Sequence, residues 1–168
     1  MPMRNIICIV MICLIQACST HELKTTSSTQ IKSYGMNIKL VVSGDNKDIV
    51  DQLSRHIQAN LLTRGFNIVA DEQATKLTVA ISSFTPGNAA LRLTIGFGAG
   101  RGSLVYNAKY TKGGQLLIDY DGAERFTGLE VAPGTQYRPL GNFGGEETST
   151  QILLEEAAKH IVDLATDK

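Results

Sequence analysis

The chain has 168 residues and carries sixteen Lys and Arg against sixteen Asp and Glu, a formal net charge of zero. Scattered, cancelling charge gives nucleic-acid binding little electrostatic support, and five Phe, five Tyr and no Trp leave little for a base-stacking platform. The length suits one domain with a removable leader, and such a domain buries roughly two-thirds of its unfolded surface.

The N-terminus reads as an export signal. Arg4 supplies a positive start, and Ile6 to Ile15 is almost uninterrupted apolar sequence. That run is too short for a membrane-spanning helix, which needs ~20 residues. It leads into Ile15-Gln16-Ala17-Cys18, which resembles the bacterial lipobox: an aliphatic residue three before the cysteine and a small one directly before it. The expected division is a signal peptide over 1–17, lipid attachment at Cys18, a Ser/Thr-rich flexible tether over 18–34 and a single globular domain over 35–168. At ~0.8 kcal/mol per buried methylene, one acyl chain is marginal and two anchor stably. Ser19, where Asp would favour inner-membrane retention, points to the outer membrane facing the periplasm in a Gram-negative host. The implied partner is the lipid bilayer, reached through acylated Cys18. Cys8 and Cys13 leave with the leader, so the mature domain is expected to hold no disulfide and no thiolate metal site.

The folded part opens with alternation over Met36 to Val42, a half-buried strand. Asp45 or Asn46 can cap the next helix. Ile49, Leu53, Ile57 and Leu61 recur four apart and form one apolar stripe, which Arg64-Gly65 ends. Phe66 to Ala70 closes a strand–helix–strand unit. Lys76 to Phe84 alternates again, with Phe84 assigned to the face opposite Leu77, Val79 and Ile81, and Pro86-Gly87-Asn88 breaks it. Leu91 to Ile95 reads as extended and runs into Gly96-Phe97-Gly98-Ala99-Gly100-Arg101-Gly102. If that run is extended, its glycines share one face, while Phe97, Ala99 and Arg101 share the other. Ser103 to Tyr110 is a strand with Leu104, Tyr106, Ala108 and Tyr110 on one side. Gly113-Gly114 makes a hairpin turn, and Leu116, Ile118 and Tyr120 line the return. Asp121-Gly122 reads as a further turn, Phe126 to Val131 as a last strand, and 133–145 as a long loop. The final helix has Thr148 as N-cap and Gln151 in capping-box spacing, with Leu153, Ala157, Ile161, Leu164 and Ala165 buried. His56 and His160 each lie beside an apolar stripe and read as surface residues. The expected class is α+β: two layers, a mixed and mostly antiparallel sheet of five or six strands, and two helices on one face, with one parallel pair across the first helix.

Catalytic motifs do not emerge. The glycines miss the dinucleotide spacing, which requires the third glycine five positions after the first and a helix behind it. No nucleophile elbow or zinc-binding helix motif occurs, and no cofactor or metal is implied. Asp119 and Asp121, with Glu124 nearby, could serve acid–base chemistry or calcium, against a plainer reading as turn residues. The glycine run has two readings: a tight crossing under another backbone or helix, or a binding surface formed by Phe97, Gly98, Gly100 and Arg101.

The lipobox, the strand–helix–strand start, Phe84-x-Pro86-Gly87-Asn88, Arg92, Gly96 to Arg101 and the Gly113-Gly114 hairpin together resemble a family of uncharacterised bacterial lipoproteins, domain of unknown function 4410. The resemblance covers the chain from about Met36 onward. It implies a Gram-negative envelope protein and brings no catalytic residues. The resulting expectation is a non-enzymatic lipoprotein that binds or supports another envelope protein. The alternative is an anchored hydrolase or small-ligand carrier with a site near Arg101 and the 133–145 loop, which a deep pocket joining Arg101 to Asp119 or Asp121 would favour.

Overall fold

A computed structural model describes residues 23–24, 31–88, 90–91, 100–126 and 146–166. Its strands are β1 (Leu23–Lys24), β2 (Asn37–Ser43), β3 (Asn67–Ile68), β4 (Thr75–Thr85), β5 (Gly102–Lys112) and β6 (Gln115–Phe126). The helices are α1 (Lys47–Thr63) and α2 (Glu146–Thr166), and a 3-10 turn spans Ile31–Tyr34. One six-stranded sheet has the order β1-β6-β5-β4-β2-β3. The α+β expectation holds: the sheet is mixed, and α1 and α2 pack on each other and on one of its faces. Strand β2 is parallel to both β3 and β4, one parallel pair more than expected.

Local chemistry accounts for α1. The Asn46 side chain accepts from the backbone N–H groups of Asp48 (3.1 Å) and Ile49 (3.2 Å), which the first turn would otherwise leave unpaired. At the other end Gly65 takes φ +83°. Gly65 N–H donates to Leu62 and Phe66 N–H donates to Leu61, the paired bonds of a Schellman ending. Ile49, Leu53, Ile57 and Leu61 are all buried, as the four-residue spacing requires.

The strands depart from simple alternation at two places. β4 carries a bulge between Ile81 and Ser83. The extra residue, Ser82, reverses the facing of the residues after it, so Phe84 packs against the core rather than on the opposite face. A second irregularity falls between Tyr110 and Thr111, opposite Leu117. There Leu117 and Ile118 are both buried and Leu116 is exposed.

Two expected breaks are absent. Asp121-Gly122 is not a turn, because β6 runs through it unbroken, with Tyr106 opposite Gly122 and Asn107 opposite Asp121. The final helix begins at Glu146, so Thr148 lies inside it and is not its cap. Its buried surface is also broader than one stripe. Ile152, Leu154, Ala158 and Val162 are buried beside the expected Leu153, Ala157, Ile161 and Ala165, while Leu164 is only half-buried, because α2 is wedged between α1 and strands β5 and β6.

The tether boundary moves as well. Ile31 is fully buried in the core, and Leu23–Lys24 pairs with β6, so the folded unit takes in parts of the 18–34 segment.

The domain has two distinct ends. At one, the hairpin end, lie Gly113-Gly114, the start of β2 and the C-termini of both helices. Arg64 closing α1 donates to Thr166 (2.7 Å) and pairs with Asp163 of α2 there. At the opposite end β4 leaves the sheet at Thr85 and β5 enters it at Gly102. The N-termini of α1 and α2 are at this end too.

Candidate functional site

The described ends of the glycine-bearing segment converge at a neck. Asn88 N–H donates to the Gly100 carbonyl at 2.9 Å. Gly100 has φ +70°, and a Cβ there would lie 2.2 Å from the Asn88 carbonyl oxygen. Only glycine meets both demands: the left-handed backbone and the absence of a side chain. Gly102 is pressed on its other side, where a Cβ would come within 3.0 Å of Leu153 on α2 and 3.1 Å of the Pro86 carbonyl oxygen. The buried Ser149 hydroxyl of α2 donates to that same Pro86 carbonyl. Asn88 also accepts from Leu91 N–H through its side chain (3.0 Å), and Ala90 and Leu91 are helical rather than extended.

The first reading of the glycine run therefore applies at Gly100 and Gly102: backbone and helix lie against them. Phe97 and Gly98 lie outside the described residues, as does the 133–145 loop. Arg101 is exposed just before β5. Leu91 is 42% exposed at the same neck.

Asp119 and Asp121 are elsewhere. They sit mid-strand on the sheet face away from the helices, and Asn107 donates to a carboxylate oxygen of each at 2.8 Å. Lys109 pairs with Asp119 at 3.2 Å. The register sets Gly102 opposite Phe126, five residues beyond Asp121 on β6. At ~3.3 Å per residue the Arg101 backbone is therefore about 20 Å from that of Asp121 and about 26 Å from that of Asp119, and the three do not form one site.

Cavities among the described residues are open and lie apart from these groups. One of about 290 Å³ opens beside the β4 bulge, lined by Asp45, Asn46, Ser82, Ser83 and Phe84 among others. Another of about 530 Å³ follows the seam between the helices, lined by Gln52, His56, Glu147, Thr150 and Gln151. Neither is lined by Arg101, Asp119 or Asp121. Among the described residues, no three His, Cys, Asp or Glu side chains converge as metal ligands.

One polar cluster has no motif to announce it in the sequence. Glu124 lies on the helix-facing side of β6 with its side chain 13% exposed. Its Oε1 accepts from the Tyr106 hydroxyl (3.0 Å) and from Nδ1 of His160 on α2 (2.8 Å). His160 is thus held to the sheet rather than standing as a plain surface residue. Burial, then the charge of Glu124, pushes the Tyr106 phenol well above its ordinary value, and the neighbouring Tyr120 phenol is raised by the same two causes. The one signal that could have found the cluster is the β6 period: with Asp121-Gly122 taken as strand instead of turn, Glu124 falls in line with Tyr120.

Comparison with known proteins gives a family and several matching solved structures. The family model described as Domain of unknown function (DUF4410) matches residues 18–137. No curated protein matches the chain. Among solved structures, a candidate lipoprotein from Caulobacter crescentus CB15 is 17% identical, with a TM-score of 0.42 over 80% of this chain and 92% of that one. The PelC dodecamer from Paraburkholderia phytofirmans is 8% identical, with a TM-score of 0.49 over 89% of this chain and 98% of that one. A minor lipoprotein from Acinetobacter baumannii is 13% identical, with a TM-score of 0.42 over 77% of this chain and 90% of that one.

Proposed function

We propose, from the premise that the chain belongs to the family described as Domain of unknown function (DUF4410), that it is a lipoprotein acylated on Cys18. In this reading it is held at the outer membrane facing the periplasm. It works by binding another envelope component, not by catalysis.

The observation that carries the binding role is the braced neck. Asn88, Gly100, Gly102 and α2 fix the two ends of the chain that contains Phe97 and Gly98. A rigid base under a connecting segment is how folds present recognition elements. The sequence from Leu91 to Gly100 carries Leu91, Leu93, Ile95 and Phe97 with one charge, Arg92, a composition suited to contact rather than to proton transfer. The separation of Arg101 from Asp119 and Asp121 removes the arrangement that would have favoured the hydrolase or carrier alternative.

Two measurements test the reading. Metabolic labelling with a clickable palmitate, followed by fractionation, should place the wild type in the outer membrane as a labelled species. Cys18→Ser should give a soluble domain or an uncut precursor without label. Persistence of a processed, acylated species in Cys18→Ser would sink the anchor. A photo-crosslinking residue at Phe97 in the intact envelope should capture one dominant protein. A diffuse background equal to that of a probe at Gln115 would sink the binding role.

A further inference from the structure

Strand β1 fixes the direction from which the chain arrives. It is antiparallel to β6, with Leu23 opposite Tyr120 and Lys24 opposite Asp119. The chain thus travels toward the hairpin end through β1 and reaches the buried Ile31 there, where Lys32 lies over the Phe66 ring at 5.8 Å. Going backward from Leu23 leads toward the neck. Were that register to continue, each step back would match one step forward along β6, and position 18 would count to Arg125. Arg125 pairs with Ser103, which pairs with Thr85, in the last row of the sheet before the neck.

Five residue steps separate Cys18 from Leu23 and can span at most ~17 Å. If they continue the direction of β1, they bring the lipid attachment point to the level of the neck. Reaching the hairpin end instead would need a reversal of at least about two residues. The three left would cover ~10 Å, against ~17 Å from the Tyr120 row to Gln115 at ~3.3 Å per residue.

We infer that the neck end of the domain faces the lipid surface, with Leu91, Arg101 and Arg125 its described residues nearest the bilayer, so that the partner proposed for the Phe97 segment is one reached at the membrane surface. This rests on the reading that Cys18 is acylated. The groups fit the partner. Leu91 is an exposed apolar side chain. Arg101 and Arg125 are exposed, and a guanidinium pairs well with phosphate oxygens. The exposed acidic groups described at that end, Asp45, Asp48 and Glu147, lie on the helical side, at the N-termini of α1 and α2. With charges of both signs present, the acyl chains hold the protein to the bilayer and the short connection orients it.

The test uses the full lipidated protein in vesicles of phosphatidylethanolamine and phosphatidylglycerol that contain a headgroup-linked quencher. Single dyes are placed through Leu91→Cys, Arg125→Cys or Gln115→Cys, all at exposed positions. Dyes at 91 and 125 should be quenched several-fold more strongly than the dye at 115. Equal quenching would show a domain lying edge-on or tumbling and overturns the inference, as does stronger quenching at 115. Mass spectrometry of the same samples reads residue 18. A missing acyl group defeats the anchor reading, and this inference with it; an acyl group present with the wrong quenching pattern defeats the orientation alone.

Discussion

Tyr106 lies across Gly122, its partner on the neighbouring strand, so closely that a Cβ at position 122 would fall 2.3 Å from Tyr106 Cζ and 2.6 Å from its hydroxyl oxygen. Gly122 is not in the left-handed region, so the requirement is for space alone. The absent side chain lets the ring lie over the strand and deliver its hydroxyl to Glu124, two residues on.

Gly122→Ala should therefore destabilise the fold by overpacking, by ~1–3 kcal/mol. Urea unfolding measures it. Combining it with Tyr106→Val should recover part of the loss, because the two residues share one contact. Full additivity would mean that the ring does not occupy the site.

Thr75 is fully buried, and its hydroxyl has no hydrogen-bond partner among the described residues. A stranded buried hydroxyl costs ~1–3 kcal/mol, and removing it without changing shape is neutral or favourable. Thr75→Val should raise the urea midpoint with no change in m-value. A clear loss of stability would reveal a partner for the hydroxyl.

The neck glycines differ from the hairpin glycines. Gly100→Ala faces both a positive φ and the Asn88 carbonyl, and should cost at least ~2 kcal/mol. Gly113→Asn meets open space at φ +54°, which asparagine tolerates, and should stay within ~0.5 kcal/mol of wild type. Arg101→Ala, at an exposed site, should also change thermal stability little. Gly98→Val separates the two readings at that position: a large loss places Gly98 under a neighbour, whereas a neutral variant with lost crosslinking at 97 makes it part of the binding surface.

Glu124 joins sheet and helix through one oxygen. Glu124→Ala removes the acceptor of both bonds, one of them from a deeply placed phenol, and should cost ~1–2 kcal/mol. His160→Ala removes only the bond from a ring that is 44% exposed and should cost less than ~1 kcal/mol. Equal costs would show that the helix contact, not the Tyr106 bond, is the stronger function of the carboxylate.

Alkali should unfold the domain through its tyrosines. Burial raises the phenols of Tyr106 and Tyr110, and Glu124 adds to the effect at Tyr106. A phenol held above its unfolded value keeps its proton more firmly in the fold than in the unfolded chain. Its contribution is complete below the unfolded value of about 10 and is lost as pH rises beyond it. Phenolate absorbance should rise together with the loss of circular dichroism. In Tyr110→Phe, whose hydroxyl otherwise donates to the Ile161 carbonyl at 2.9 Å, the alkaline transition should move to higher pH. Ionisation of the tyrosines well before unfolding would refute the coupling.

Features that repeat with a fixed period are legible in the sequence. Ile49, Leu53, Ile57 and Leu61 identify α1 and its face, Asn46 and Gly65 its ends, and Leu104 to Tyr110 the buried side of β5. Features that depend on a neighbour stay hidden. Nothing local says that Ser82 is an extra residue, yet it decides where Phe84 goes. Asp121-Gly122 has the chemistry of a turn, and only Tyr106 lying above it explains a glycine in mid-strand. His160 looks like a surface residue until β6 brings Glu124 beneath it. Ile31 is one apolar residue in a polar stretch, with no period to mark it as core. The glycine run is half legible: its oddness is plain, while the causes at Gly100 and Gly102 are Asn88, Pro86 and Leu153.

The position of α2 also governs when the fold can close. Tyr106, Ala108 and Tyr110 are complete as a strand by residue 112, but the helix that covers them ends only at Thr166. Arg64, at the end of the first helix, finds its partners 99 and 102 residues later. A chain still emerging N-terminus first therefore carries a bare tyrosine-lined sheet until α2 arrives. Folding cannot proceed piece by piece behind the moving chain; it waits for α2, and a truncation that removes α2 takes away the lid of the whole β5–β6 core.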